Sequence, residues 1–323
     1  MLEAKAFAGD ERKAESIAPA QVKPVLDSTH QLLWLDVTSP SDDEIDWLGK
    51  TFGFHPLALR DLRASHPRPK LVQYDDYLFL IFYVMPVAGE QETGLPQEIT
   101  FFVGKHYLIC VHTDDIPQLK DAVSDWQESG MQEKSGRAAI LLYELLDTIV
   151  DGYFPVLDAI AERVDDLEDA IFSGYQESAL QEIVETRKHL LKIRRVIAPE
   201  RDLTAMLMRV DNDIIGRDLS ILFQNLYDHV MRVSDAIDTY RDLLSGSLDA
   251  YLSVVSNRLN QIMRTLTSWS IILMVLALIA GIYGENFSLA PVQDTPWGFT
   301  YTLILMAALA GGLFYLFKRI RWL

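Results

Sequence analysis

Hydrophobic positions along the chain fall into three patterns, and each predicts a different element. Thr265–Gly284 is twenty residues without a charge, and Thr295–Phe317 is twenty-three more. About 20 apolar residues span a ~30 Å hydrocarbon core, so each run predicts one membrane-crossing helix. Two buried helices of a soluble protein are the alternative, and the length rule disfavours it. Arg258 and Arg264 precede the first run, and Lys318, Arg319 and Arg321 follow the second. The connector ENFSLAPVQDT carries no base. The positive-inside rule then puts both termini in the cytoplasm, with the connector facing outward. The N-terminal stretch has charges and no apolar core, which predicts no cleavable signal peptide. The expected location is the plasma (inner) membrane, crossed twice.

The second pattern is short β-branched and aromatic runs, at Leu32–Val37, Tyr77–Met85, Glu98–Val103 and His106–His112. They predict strands, with Gly104-Lys105 as a tight hairpin between the last two. Ser41-Asp-Asp-Glu44 is a capping box that opens a helix through Trp47 and Leu48. The expected organisation is a flexible polar N-terminus over 1–28, a cytoplasmic α/β domain over 29–135, a helical region over 136–264 including a long stalk, and a two-helix membrane domain over 265–323. The fold class is therefore an α+β cytoplasmic domain, then long helices, then a transmembrane hairpin. Within the helical region, Asp158, Glu162, Asp165, Asp166, Glu168 and Asp169 crowd one helix, and Arg187, Lys188, His189, Lys192, Arg194 and Arg195 the next. Electrostatic pairing of two solvated helices is the plain reading. Concentration of divalent cations near a pore mouth is the functional one.

The third pattern is a seam. Between Gly246 and Gly281 lie 34 residues with neither Gly nor Pro, about 51 Å as one helix. Asp249, Ser256, Met263, Ser270, Ala277 and Gly284 recur every seven residues. Ser253, Asn260, Thr267, Met274 and Gly281 do the same, offset by four. Small, polar and Met residues thus hold the positions where a coiled coil places Leu and Ile. The stripe fits a small-residue helix–helix contact in lipid. It fits equally a polar face turned to a water-filled path, with oxygen ligands at successive levels. One two-helix subunit cannot enclose a path, so the second reading requires a ring of copies.

Charge sharpens this picture. The chain has 46 acidic and 29 basic residues, a net charge of −17. Phosphate backbones need Lys and Arg to displace counterions, so nucleic acid is not an expected partner; cations are. The single Cys110 excludes an internal disulfide framework. His106, Cys110 and His112 share a strand face, which has the chemistry for zinc but no evident fourth ligand; a core position is the stronger reading. Asp211-Asn212-Asp213 with Gly216 hints at a calcium loop, but the twelfth position is Leu222, so the EF-hand reading fails. The sequence has no GxxxxGK(S/T), GxSxG or HExxH motif, so no enzyme is expected, and any transport would have to be driven by an ion gradient and the membrane potential.

The stretches SNRLNQIMRTLT and GIYGENF, the ending KRIRWL, and RPKLVQYDDYLFL at Arg68–Leu80 resemble the CorA family of divalent-cation transporters. The resemblance covers nearly the whole chain from about Leu32. It implies a homopentameric funnel in the bilayer, with the first membrane helix lining the pore. Transport would be of Mg²⁺ foremost, with Co²⁺ and Ni²⁺, and no resident cofactor. By motif, Gly284, Glu285 and Asn286 would form the outer selectivity mouth, Asn286 as a ring of amides contacting a hydrated ion. Asn260, Met263, Thr267, Ser270, Met274, Ala277 and Gly281 would line the path. Glu285 stands where the family signature has Met, and Val275 where many members have Pro. The family's cytoplasmic regulatory carboxylates match Asn225, with Asp228 close by, and Asp249. The departure at Glu285 also keeps open the superfamily's zinc-transporting, proton-coupled branch, and a membrane-anchored metal sensor that conducts no ion is the competing class.

Overall fold

A computed structural model describes residues 2–8, 13–28, 31–64, 68–85, 96–128, 136–173, 177–284 and 297–323. These residues form two compact units, Met1–Glu168 with Gln181–Gly246, and Asp169–Leu180 with Ser247–Leu323.

The first unit opens with strands β1 (Leu2–Ala8) and β2 (Lys13–Ser16), a short helix α1 (Val22–Leu26) and strand β3 (Gln31–Thr38). Helices α2 (Asp42–Phe52) and α3 (Pro56–Arg63) follow, then strands β4 (Lys70–Gln73), β5 (Leu78–Val84), β6 (Gln97–Val103) and β7 (Tyr107–His112). The seven strands make one sheet in the order β2-β1-β3-β7-β6-β5-β4, in which β3 and β7 are parallel. All seven residues of β5 are buried. That is the pattern of a strand covered on both faces, where alternation disappears.

Local chemistry sets the ends. Ser41 Oγ accepts from the Glu44 amide at 3.3 Å while Glu44 Oε2 accepts from the Ser41 amide at 2.8 Å, completing the expected capping box of α2. Gly53 closes that helix at φ 71°, a conformation that costs a residue with a Cβ. At the β6–β7 hairpin the Gly104 amide donates to the Tyr107 carbonyl at 2.9 Å. A Cβ at Gly104 would collide with the Tyr107 ring.

The expectation of a flexible N-terminus is corrected by β1 and β2. β1 pairs with β3 from Leu2↔Val37 to Ala8↔Gln31. Ala4, Ala6 and Phe7 are buried, and Phe7 meets Trp126 edge-on at 5.0 Å. Small alanines between charges carry little strand signal by themselves. What holds β1 is the open edge of β3, whose amides and carbonyls need partners.

Helices α4 (Pro117–Glu128), α5 (Arg137–Asp151), α6 (Tyr153–Ser173) and α7 (Glu177–Leu207) follow. Next comes the 65-residue α8 (Ser220–Gly284), which contributes to both units, and then α9 (Gly298–Arg319). α6 is amphipathic. Leu157, Ile160, Val164, Leu167 and Ile171 are buried, whereas Asp158, Glu162, Asp165, Asp166 and Asp169 are exposed. From the basic helix α7, Arg194 pairs with Asp238 of α8 at 3.0 Å.

His112 has a structural use. Its Nε2 lies 2.6 Å from Asp36 Oδ1 and its Nδ1 2.5 Å from the Asp114 carbonyl oxygen, with the pair almost fully buried. Both ring nitrogens face acceptors, so the imidazole carries two protons and the pair is ionic. Burial opposes that charge; the Asp36 bond and its negative charge, with the Asp114 carbonyl, outweigh it and raise the histidine's pKa. Cys110 is fully buried, and burial pushes its thiol well up. Among the described residues no group of three His, Cys, Asp or Glu is placed to hold a metal ion. Asn212 Oδ1 accepts from the amides of Ile214 and Ile215, so that loop closes on itself. Asp36→Ala is expected to strand a buried cation and to cost about 3–5 kcal/mol. Denaturant unfolding of the variant against the parent chain measures it.

Candidate functional site

The expected chemistry lies on α8 and at its outer end. Gly284 is the last residue of α8, while Glu285 and Asn286 lie outside the described residues. The other seam positions can all be placed. Asn260, Met263, Thr267, Ser270, Met274, Ala277, Gly281 and Gly284 are every one exposed in the single chain.

The opposite face of the same helix behaves differently. Ser268 and Ile272 are buried, and Val275, Leu276, Ile279 and Tyr283 are partly covered. This is the side that meets the C-terminal strand of chain after α9. Thr265 Oγ1 donates to the Trp322 carbonyl at 3.2 Å, and Trp322 stacks on Phe317 at 5.9 Å. Nearby, Trp269 packs on Phe314 at 6.2 Å. At 3.6 residues per turn the covered positions and the seam sit roughly 180° apart. Between them, Leu259, Leu266 and Leu273 on one flank and Leu278 and Ile282 on the other are bulky, apolar and exposed. The helix therefore has three kinds of face: one toward α9, two apolar flanks, and a small, polar seam.

Among the described residues, no hydrophobic core covers the apolar end of α8 or α9. In the most apolar 18-residue window of the span containing α8, 11% of residues are buried, and in that of α9 none is. Ser268 is tolerated at such a place because its hydroxyl donates to the Arg264 carbonyl one turn back, at 2.8 Å.

The regulatory candidates are at the surface. Asp228 and Asp249 are exposed, and the absence of a metal-holding group among the described residues extends to them. Asn225 is tied down: its Nδ2 donates to Tyr143 Oη at 3.1 Å, and that hydroxyl donates to Asp147 Oδ2 at 3.3 Å. His229 Nδ1 faces Asp147 Oδ1 at 3.1 Å. Burial raises the Asp147 pKa against the opposing pull of His229. Burial also pushes the Tyr143 phenol up to about 12, with Asp147 adding to the shift. This network was not foreseen. Its signal is present in the spacing, since Tyr143 and Asp147 on α5, and Asn225 and His229 on α8, are each i,i+4 pairs. What spacing does not reveal is that the two pairs face each other.

Comparison with known proteins places this geometry. Residues 29–319 match the family described as CorA-like Mg²⁺ transporter protein. The chain is 31% identical over 293 residues to the cobalt/magnesium transport protein CorA of Thermotoga maritima, covering 90% of this chain and 83% of that one. It is 33% identical over 289 residues to the putative metal ion transporter YfjQ of Bacillus subtilis, covering 90% and 89% respectively. The structure of the CorA magnesium transporter from Methanocaldococcus jannaschii has the same fold, with TM-score 0.82, 24% identity, and coverage of 100% of this chain and 99% of that one.

The separation of faces predicts a difference between two substitutions. Ser268→Leu forces extra volume into a buried position and is expected to destabilise the protein in detergent by about 1–3 kcal/mol. Leu266→Met, on an exposed flank, is expected to change stability by less than about 0.5 kcal/mol. Thermal unfolding of the two purified variants checks both.

Proposed function

From the fact that this chain belongs to the CorA-like Mg²⁺ transporter family, we propose that it carries divalent cations inward, Mg²⁺ foremost, through a ring of five identical chains. It is a multi-pass membrane transporter and not an enzyme, and the ion is its cargo, not a resident cofactor. The finer mechanism is our reading. In it, residues 29–135 and 136–264 form the cytoplasmic body and stalk, and 265–323 the membrane domain.

The observation that carries the proposal is the exposure of every described seam position of α8 on the side away from its α9 contacts. Within the membrane domain, a lipid-facing surface has no use for Thr267 and Ser270 at successive levels. A ring of chains gives them one: the apolar flanks pack against neighbouring copies, and the polar seam turns to the central axis. In this reading Asn260, Met263, Thr267, Ser270, Met274, Ala277 and Gly281 line the path, and Gly284, Glu285 and Asn286 form its outer mouth. Mg²⁺ dehydrates reluctantly, so amide and hydroxyl oxygens that bond its water shell suit its passage better than a tight cage. The seam offers oxygen and thioether sulfur without His or Cys, which favours hard ions over zinc. An inside-negative potential favours entry by about 2.3 kcal/mol per charge per 100 mV, roughly twice that for a divalent ion. Cytoplasmic Mg²⁺ acting through Asp228 and Asp249 on neighbouring copies belongs to the same proposal. Asn225 brings no carboxylate to it.

Divalent uptake into liposomes tests the reading, comparing Mg²⁺ and Zn²⁺ with and without an imposed pH gradient. The expected outcome is Mg²⁺ flux that follows membrane potential, ignores the pH gradient, and falls at least about tenfold in Asn286→Ala and Asn260→Leu, more than 1.4 kcal/mol of lost stabilisation. A monomeric mass in mild detergent sinks the ring. Zn²⁺ flux that rises with an inward proton gradient favours the zinc-transporting branch instead, with Glu285→Met as the variant that should abolish it.

A further inference from the structure

β5 runs past the end of its edge partner. The β4–β5 register stops at Lys70↔Ile81, whereas on the other side β5 stays paired with β6 through Tyr83↔Glu98 and Val84↔Gln97. The amide and carbonyl of Tyr83 point to the side that β4 has vacated, and two helices meet them there. Glu200 Oε1, from α7, accepts from the Tyr83 amide at 3.0 Å. Tyr153 Oη, from α6, lies 2.5 Å from the Tyr83 carbonyl oxygen. The two side chains also touch, with Tyr153 Oη 3.1 Å from Glu200 Oε2. Glu200 is wholly buried and Tyr153 is 1% exposed.

Counting donors decides the protonation. A carbonyl oxygen can only accept, so the single hydroxyl proton of Tyr153 goes to Tyr83. The contact between Tyr153 Oη and Glu200 Oε2 then needs a proton from the glutamate. An ionised Glu200 would instead be a buried anion with one full hydrogen bond and, among the described groups that act on it, no cation, an arrangement that burial strongly disfavours. The titratable groups facing it are Tyr153 from α6 and Tyr83 from β5. Beyond Tyr83 stands Glu98 from β6, and none of these three brings positive charge. Along α7, Arg201 pairs with its neighbour Asp202 at 3.2 Å.

We propose that Glu200 is a neutral carboxylic acid that clasps the open edge of β5 to helices α6 and α7, and that its ionisation unfastens this joint. The acid donates to Tyr153, Tyr153 donates to the Tyr83 carbonyl, and the Tyr83 amide donates back to the acid. Burial holds the glutamate's proton well above the ordinary carboxylate range, against the bond from the Tyr83 amide, which favours ionisation. The folded chain thus keeps a proton that the unfolded chain loses near pH 4.5. The joint's contribution is complete below that value and declines as pH rises toward the folded one. The cytoplasmic body thereby acquires a response to pH that is separate from any movement of protons through a pore.

Glu200→Gln is the informative substitution, because its amide can donate to Tyr153 and accept from Tyr83 without carrying a charge. With the full-length protein in detergent, the parent chain is expected to show the infrared carbonyl band of a hydrogen-bonded, protonated acid at about pH 7, absent from Glu200→Gln. The two are expected to melt within about 2 °C of each other at about pH 6. Between about pH 6 and about pH 9 the parent should lose several degrees more than the variant. A missing acid band, or a variant destabilised equally at both pH values, overturns the proposal. If Glu200→Gln does not fold, Tyr153→Phe decides. Loss of the acceptor must shift the acid band, and an unshifted band overturns the clasp.

Discussion

Among the described residues, the apolar surface of α9 and of residues 265–284 of α8 has almost no cover, and this need for an outside environment governs the rest of the molecule. A helix satisfies its own backbone hydrogen bonds, so it can enter hydrocarbon where a strand edge cannot. Lipid, however, gives helices no hydrophobic reason to associate, and pairing must come from close packing and hydrogen bonds. The contacts found are of that kind: Thr265 to the Trp322 carbonyl, Trp269 against Phe314, and Phe317 against Trp322. They occupy one side of α8 and leave the seam and both flanks for lipid or for further copies of the chain.

Inside the first unit, two buried carboxyl groups illustrate opposite answers to the same cost of desolvation. Asp36 is paired with His112, 2.6 Å away, and against the cost of burial that bond raises the histidine's pKa. Glu200 has no such neighbour and lowers its cost by keeping its proton. The first answer ties the ends of the parallel pair β3 and β7 together. The second ties a strand edge to the helices beyond it. Each holds together parts that are distant in sequence, since Asp36 and His112 are 76 residues apart and Tyr83 and Glu200 are 117 apart. Both answers also depend on geometry that excludes water, which is why they are sensitive to protonation.

Legibility followed how local each signal was. The four aromatic and β-branched runs became β3, β5, β6 and β7, because such residues suit a covered pleated surface wherever they fall. The capping box of α2 and the Gly104 hairpin were readable because all their atoms lie within a few residues. β1 was not. Its alanines carry no strand preference, and β3 recruits it across a pairing that no local pattern announces. At the candidate site, the heptad spacing of Asn260, Thr267, Met274 and Gly281 was plain in the sequence. The network joining Asn225 to Tyr143 and Asp147 was not, since it links residues 82 apart.

The sequence by itself determined that this chain has an acidic body, two helices long enough to cross a bilayer, a polar stripe along the first of them, and the motifs of its family. These are matters of composition and short-range periodicity, and hydrophobicity and helical geometry act on them directly. Only the tertiary structure decided which side of α8 meets α9, that the N-terminal segment completes the sheet, that His112 answers Asp36, and that Glu200 holds its proton. The physical reason is common to all four. Each depends on the free energy of a group removed from water, and what replaces the water is set by residues brought near only when the chain folds.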